Sequence, residues 1–154
     1  DTIWHLRQLK VLELKNNFFT DLPPELANLS KLHTLILTQN RFSKIPAAVG
    51  KLSGLLGLHL SKNELEVLPS FVCNLNLTEL YLNQNQLERL PVAIGNLSQL
   101  SKLFLKDNRL SSLPSSMGKL QNLRQLLLIN NPLPLKERKK LRELLPNCDI
   151  QYQY

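Results

Sequence analysis

Three histidines (His5, His33, His59) and two cysteines (Cys73, Cys148) are the side chains best suited to metal binding, nucleophilic attack or proton transfer near neutral pH. Their spacing supports none of these. The cysteines stand 75 residues apart, with no CxxC pair and no neighbouring His cluster. No HExxH, GxSxG, Walker or GxGxxG motif is present. No catalytic residue, metal site or cofactor is expected, and the chain reads as a non-enzyme. Two thiols are too few for a disulfide framework, so both are read as reduced and mostly buried.

The remaining concentration of chemistry is charge. The formal net charge is +7, and Lys136–Arg142 (KERKKLR) holds five bases and one acid. A nucleic-acid surface spreads bases along a face, with aromatics or a known motif. This run does neither, so nucleic acid and an acidic membrane are both disfavoured as partners. No run of 18 apolar residues exists. With 154 residues, 43% hydrophobic and only 6% aromatic, the chain suggests one domain with an aliphatic core.

The elements that position these residues come from repetition. Units begin at Leu6, Leu29, Leu52, Leu75, Leu97 and Leu120, spaced 23, 23, 23, 22 and 23 residues. Each follows LxxLxxLxLxxNxLxxLP, with Phe at one leucine position in two units. Asparagines recur at Asn17, Asn40, Asn63, Asn85, Asn108 and Asn131; prolines at Pro23, Pro46, Pro69, Pro91 and Pro114. The 22-residue unit loses its residue between Leu75 and Leu77, before the strand, so its side-chain alternation is kept. Each LxL pair points two leucines to one side of a short strand. One turn cannot bury them, but stacked turns can. The asparagine sits where the chain leaves the strand and can bond backbone that the bend leaves unpaired. Leu26, Val49, Val72, Ile94 and Met117 form a further inward column. Gly50, Gly95 and Gly118 follow three of them and are expected where the backbone turns tightly; Cys73 takes that slot in another unit.

This frame, with LPVAIGNL, IPAAVGKL and LPSSMGKL after the asparagine, resembles the leucine-rich repeat family over about residues 3–133. The subtype is similar to bacterial and Ras-group intracellular repeats. The resemblance implies an α/β solenoid: a right-handed curved superhelix, a concave parallel sheet of short strands, convex irregular or 3₁₀ segments, and an asparagine ladder. It also implies protein binding. The expected organisation is a single domain over 1–154 of about six repeats, with a C-terminal cap over 134–154. A helix is expected from about Leu135 to Leu145, apolar along Leu141, Leu144 and Leu145 and ended by Pro146, with Ile150 and Tyr152 in a last strand. Its bases read as a solvated face. At the other end, Ile3-Trp4-His5-Leu6 aligns with Leu26-Ala27-Asn28-Leu29; either Trp4 covers the open end or sequence precedes it. The sequons at Asn28, Asn76 and Asn96 read as accidents of the frame. Family members outside the cell usually carry a cysteine-rich cap, so a cytoplasmic setting is expected, or a bacterial effector secreted into a host cytosol.

Function then falls to positions the frame leaves free. The residue between the LxL leucines is Glu13, Ile36, His59, Tyr81, Phe104 and Leu127 in successive turns. At a strand spacing of ~4.8 Å these form a nearly continuous stripe. Beside it run Val11, Thr34, Gly57, Glu79, Lys102 and Gln125, then Lys15, Thr38, Ser61, Asn83, Lys106 and Ile129, then Asn16, Gln39, Lys62, Gln84, Asp107 and Asn130. One reading is a groove for a partner protein or peptide, with Ile36, His59, Tyr81, Phe104 and Leu127 as anchors and Glu79, Lys102, Lys106 and Asp107 setting register. The other is that β-forming residues simply fit exposed strands. An alternative class is the recognition part of a larger signalling enzyme, such as a kinase or ubiquitin ligase.

Overall fold

The computed structural model describes residues 2–153. Seven three-residue strands form one parallel sheet in chain order: β1 (Val11–Glu13), β2 (Thr34–Ile36), β3 (Gly57–His59), β4 (Glu79–Tyr81), β5 (Lys102–Phe104), β6 (Gln125–Leu127) and β7 (Asp149–Gln151). Between them the chain returns through 3₁₀ segments at Pro24–Asn28, Ala47–Lys51, Ser70–Asn74, Val92–Asn96 and Ser115–Lys119; Ile3–His5 precedes β1. Helix α1 (Leu135–Leu144) makes the last return. A proline stands immediately before or at the start of each five-residue 3₁₀ segment, where a fixed φ and a missing N–H cost nothing.

Register is strict. Leu12, Leu35, Leu58, Leu80, Leu103 and Leu126 pair across the sheet and are all buried, as is the second LxL leucine from Leu37 to Leu128. The column Leu26, Val49, Val72, Ile94, Met117 is fully buried against them. The residue missing from the short unit is absorbed at Leu75. Its ψ is 165°, where the equivalent leucines lie between 59° and 71°. The strand therefore resumes in register, Gly57 opposite Glu79.

From Asn40 onward each repeated asparagine is buried and knits two turns. Asn85 Nδ2 donates to Leu60 O (3.0 Å) in the preceding turn and Leu82 O (3.1 Å) in its own, while Oδ1 accepts Leu65 N–H (3.0 Å). Asn17 is exposed and its side chain bonds within its own turn, to Leu14 O and Lys15 O, while its backbone N–H donates to Gln39 O of the next. The residue before each asparagine takes a left-handed conformation, with φ from 55° to 59° at Asn16, Gln39, Lys62, Gln84, Asp107 and Asn130.

Two expectations are corrected here. Gly50, Gly95 and Gly118 do lie in tightly turning 3₁₀ segments, but none has positive φ, so the turn itself does not demand glycine. They allow neighbouring 3₁₀ segments to approach: a Cβ on Gly95 would lie 2.6 Å from Ser116 O, and one on Gly50 2.8 Å from the Phe71 ring. Cys73 is buried in the same slot, where burial pushes its thiol up to about 11. Ile129, expected on the open face, is 3% exposed, so that row ends at Lys106.

The two ends differ. Leu6 is 54% exposed and Phe18 76%, although Trp4 packs against the core. At the other end Leu141 and Leu145 are buried, Leu144 packs against the core, and β7 pairs with β6. Ile150 lies in β7; Tyr152 lies beyond it and donates its hydroxyl to Arg138 O (3.2 Å). The bases of α1 are not simply a solvated face: Lys140 Nζ donates to Leu113 O (3.2 Å) and Arg138 Nε to Leu133 O (3.0 Å).

Candidate binding face

The parallel register brings Ile36, His59, Tyr81, Phe104 and Leu127 into one line, with Glu13 before it and Gln151 after it. All five side chains of the line are half-buried, flanked by the strand on either side. Strand spacing sets ring spacing. His59 and Tyr81 lie 4.4 Å apart and tilted by 54°; Tyr81 and Phe104 are stacked at 4.8 Å and 28°. Such pairs contribute ~0.5–1.5 kcal/mol each beyond area burial. The rings are therefore fixed before anything binds.

Gly57 leaves the position beside His59 without a side chain. A Cβ there would come within 3.6 Å of His59 Nε2 and of Thr34 Oγ1. The imidazole leans over this gap, and its Nε2 is buried without a hydrogen-bond partner. Burial lowers the His59 pKa from 6.5, against the nearby Glu79 carboxylate, which raises it.

The polar row is tied to the rings. Lys102 Nζ donates to Glu79 Oε1 (2.8 Å), and the Tyr81 hydroxyl donates to Oε2 (3.0 Å). The Lys102 hydrogen bond leads in holding the Glu79 carboxyl below its usual range. Lys15 pairs with Glu13 (2.6 Å), and Lys106 lies 3.9 Å from Asp107. Asp107 also accepts from Asn130 Nδ2 (2.6 Å) and Gln84 Nε2 (3.4 Å). Lys106 is fixed through its backbone N–H, which donates to Asn83 Oδ1 (2.8 Å). Among the described residues no three His, Cys, Asp or Glu side chains converge on a metal-sized site.

The description "Leucine-rich repeat region" matches residues 1–81, and "Leucine Rich Repeat" matches residues 76–97. A leucine-rich repeat protein of Leptospira interrogans superposes with a TM-score of 0.94 at 38% identity, covering 97% of this chain and 38% of that one. The chain belongs to the leucine-rich repeat family. These repeats thus span well under half the length of that relative. They are also similar to the ectodomain of the Arabidopsis thaliana membrane receptor kinase GASSHO1/SCHENGEN3, solved in complex with Casparian strip integrity factor 2. There the TM-score is 0.78 at 32% identity, covering 98% of this chain and 19% of that one. A third likeness is to a chain of the octameric complex of Latrophilin 3, Unc5D and the leucine-rich repeats of FLRT2, with a TM-score of 0.73 at 26% identity, covering 85% and 44%. No curated protein gives a significant match.

Within this leucine-rich repeat frame the rows follow from the sequence, but three features of them do not. The pairing of acids with bases across the face depends on contacts between turns. His59 leans into the Gly57 gap, for which Gly57 two residues earlier on the same side of β3 is the available signal. The left-handed residue before each asparagine has no signal, since the types Asn, Gln, Lys, Gln, Asp and Asn share none.

Proposed function

We propose that this chain is a non-catalytic scaffold that takes a partner protein or peptide on its concave sheet face. The observation that carries the reading is the stacked row His59–Tyr81–Phe104, continued by Ile36 and Leu127 in strict register. Large rings held half-exposed, with polar groups beside them, match the anatomy of interface hot spots. Rigid turns mean that little side-chain entropy is lost on binding. Glu79, Lys102, Lys106 and Asp107 border the row and set register more than affinity. The complexes formed by the GASSHO1/SCHENGEN3 and FLRT2 repeats support a binding role for this fold. Two free cysteines support a reducing compartment such as the cytosol. Among the described residues no helix is long and apolar enough to cross a membrane.

The test is affinity purification with the wild-type chain against Tyr81→Ala/Phe104→Ala, followed by titration of each recovered partner. The double variant is expected to lose ~2 kcal/mol or more of binding, roughly thirty-fold in Kd. Its circular dichroism spectrum should stay native. Binding at wild-type strength would move the site off this face. A second reading, recognition repeats within a longer signalling protein, draws on the 38% and 19% coverage of the relatives. Sequencing the complete reading frame tests it: a kinase or ligase domain beside the repeats supports it, and repeats alone reject it.

A further inference from the structure

The C-terminal cap carries a second surface of different chemistry. An open cavity of about 360 Å³ lies between α1 and the segment after β7, lined by Leu135, Arg138, Lys139, Arg142, Gln151 and Tyr152, among others. Among the described residues, three cations line it and no carboxylate does. Arg138 and Arg142 are four residues apart on one helix, where like charges repel. Both guanidinium groups are held over the Tyr152 ring, at 5.2 and 5.9 Å from its centroid. That attraction offsets the repulsion without neutralising either charge.

The acids nearby do not supply the missing counter-charge. Glu137 pairs with Lys140 (3.5 Å), on a base that does not line the cavity. Asp149 accepts from Gln151 Nε2 (2.8 Å). Glu143 is exposed and makes no ion pair among the described residues. Among the described residues Arg138 donates through Nε alone, to Leu133 O, which fixes the side chain and leaves its terminal nitrogens as donors.

We infer that this pocket is an oxyanion site that takes a phosphomonoester carried on a phosphorylated peptide. Three positive charges match a group of about −1.5 to −2 at pH 7, where one carboxylate would leave two of them uncompensated. Arginine forks suit phosphate oxygens in bidentate contact. A flat anionic bilayer fits less well. Lys140 is drawn onto a main-chain carbonyl, and Arg138, Lys139 and Arg142 line a concave pocket rather than one common plane.

Calorimetric titration of the 154-residue chain with a short phosphoserine peptide tests this, with its unphosphorylated twin and inorganic phosphate as further arms. Saturable binding of the phosphopeptide, competed by inorganic phosphate and absent with the twin, is expected. Arg142→Gln and Lys139→Gln should each weaken it about ten-fold. Lys136→Gln, outside the cavity, should leave it unchanged, as should Tyr81→Ala/Phe104→Ala on the sheet face. Melting curves confirm that each variant folds. The inference is overturned by an absence of saturation, or by equal weakening in Lys136→Gln, which marks diffuse attraction. It is also overturned by sedimentation with phosphatidylserine vesicles that the phosphopeptide does not compete.

Discussion

The sheet face and the C-terminal cap both place an aromatic ring among charges, and they resolve the charge in opposite ways. On the sheet, Tyr81 stands between His59 and Phe104, and the nearby Lys102 is matched by Glu79, which also accepts the Tyr81 hydroxyl. Lys15 and Lys106 likewise stand within 3.9 Å of an acid. At the cap, Tyr152 carries two guanidinium groups with no carboxylate of the described residues between them. The first arrangement offers a partner a pre-stacked, locally neutral apolar row. The second offers a charge in need of a counter-ion. Binding at the row should therefore depend weakly on salt, and binding at the cap strongly, because screening acts on uncompensated charge.

The comparison breaks most directly if the two regions are not separable. Asn85 ties the turn after β4 to its neighbour with three buried hydrogen bonds and a longer fourth to Asn83 O (3.4 Å), whereas the cap lies two strands away. Asn85→Ala should cost ~3 kcal/mol, at ~1 kcal/mol per bond lost, measured by urea denaturation. Amide exchange should accelerate in β3–β5 while α1 keeps its protection, as expected where each turn contacts only its neighbours. Uniform acceleration through α1 would merge the regions into one cooperative unit. The reciprocal change, Tyr152→Ala, should cost ~1–2 kcal/mol through the lost hydroxyl bond and cation–π contacts. Its exchange changes should stay within α1 and β7.

The frame was legible because it was written repeatedly. A leucine, asparagine or proline recurring at a fixed spacing identifies a position by its role in every turn, and the strand register followed from that alone. The shortened unit was readable for the same reason, since Leu80 resumes the frame. What the sequence hid depends on contacts between turns. Gly95 looked like a turn residue, but it is small because Ser116 of the next turn presses on it. Ile129 occupied an outward slot by spacing, yet it is covered. The Glu79–Lys102 pair lies 23 residues apart in sequence and becomes adjacent only through strand pairing. Rows could be read one column at a time, whereas charge compensation runs between columns.

The left-handed residues provide a smaller test beside the row. Lys62 has φ 57°, a conformation that costs an ordinary L-residue ~1–2 kcal/mol and that asparagine tolerates better. Lys62→Asn should raise stability by ~0.5–1 kcal/mol in urea, and it removes an exposed cation from the edge of the sheet face. Partner binding at the row should be unchanged if local neutrality there rests on the internal pairs. A fall in binding would assign Lys62 to the interface.

The finest distinction between the two regions is in their response to acid. His59 is the imidazole of the row, faced by Tyr81 from β4, paired with Ile36 of β2 and close to the Glu79 carboxylate. Its folded pKa lies below the unfolded value of 6.5, chiefly through burial. Between those two values the unfolded chain holds a proton at this site that the folded chain lacks. The contribution of His59 to stability is thus complete above pH 6.5 and is lost as pH falls through 6.5 toward the folded value. Glu79, with its pKa lowered from 4.5, gives up its share only at more acid pH, so the two effects separate. Urea midpoints for wild type should fall between pH 6.5 and pH 4.5, and His59→Gln should flatten that fall. An unchanged slope in His59→Gln would show that protonating this ring costs the row nothing. The row would then resemble the cap in tolerating a bare cation against its aromatic neighbour.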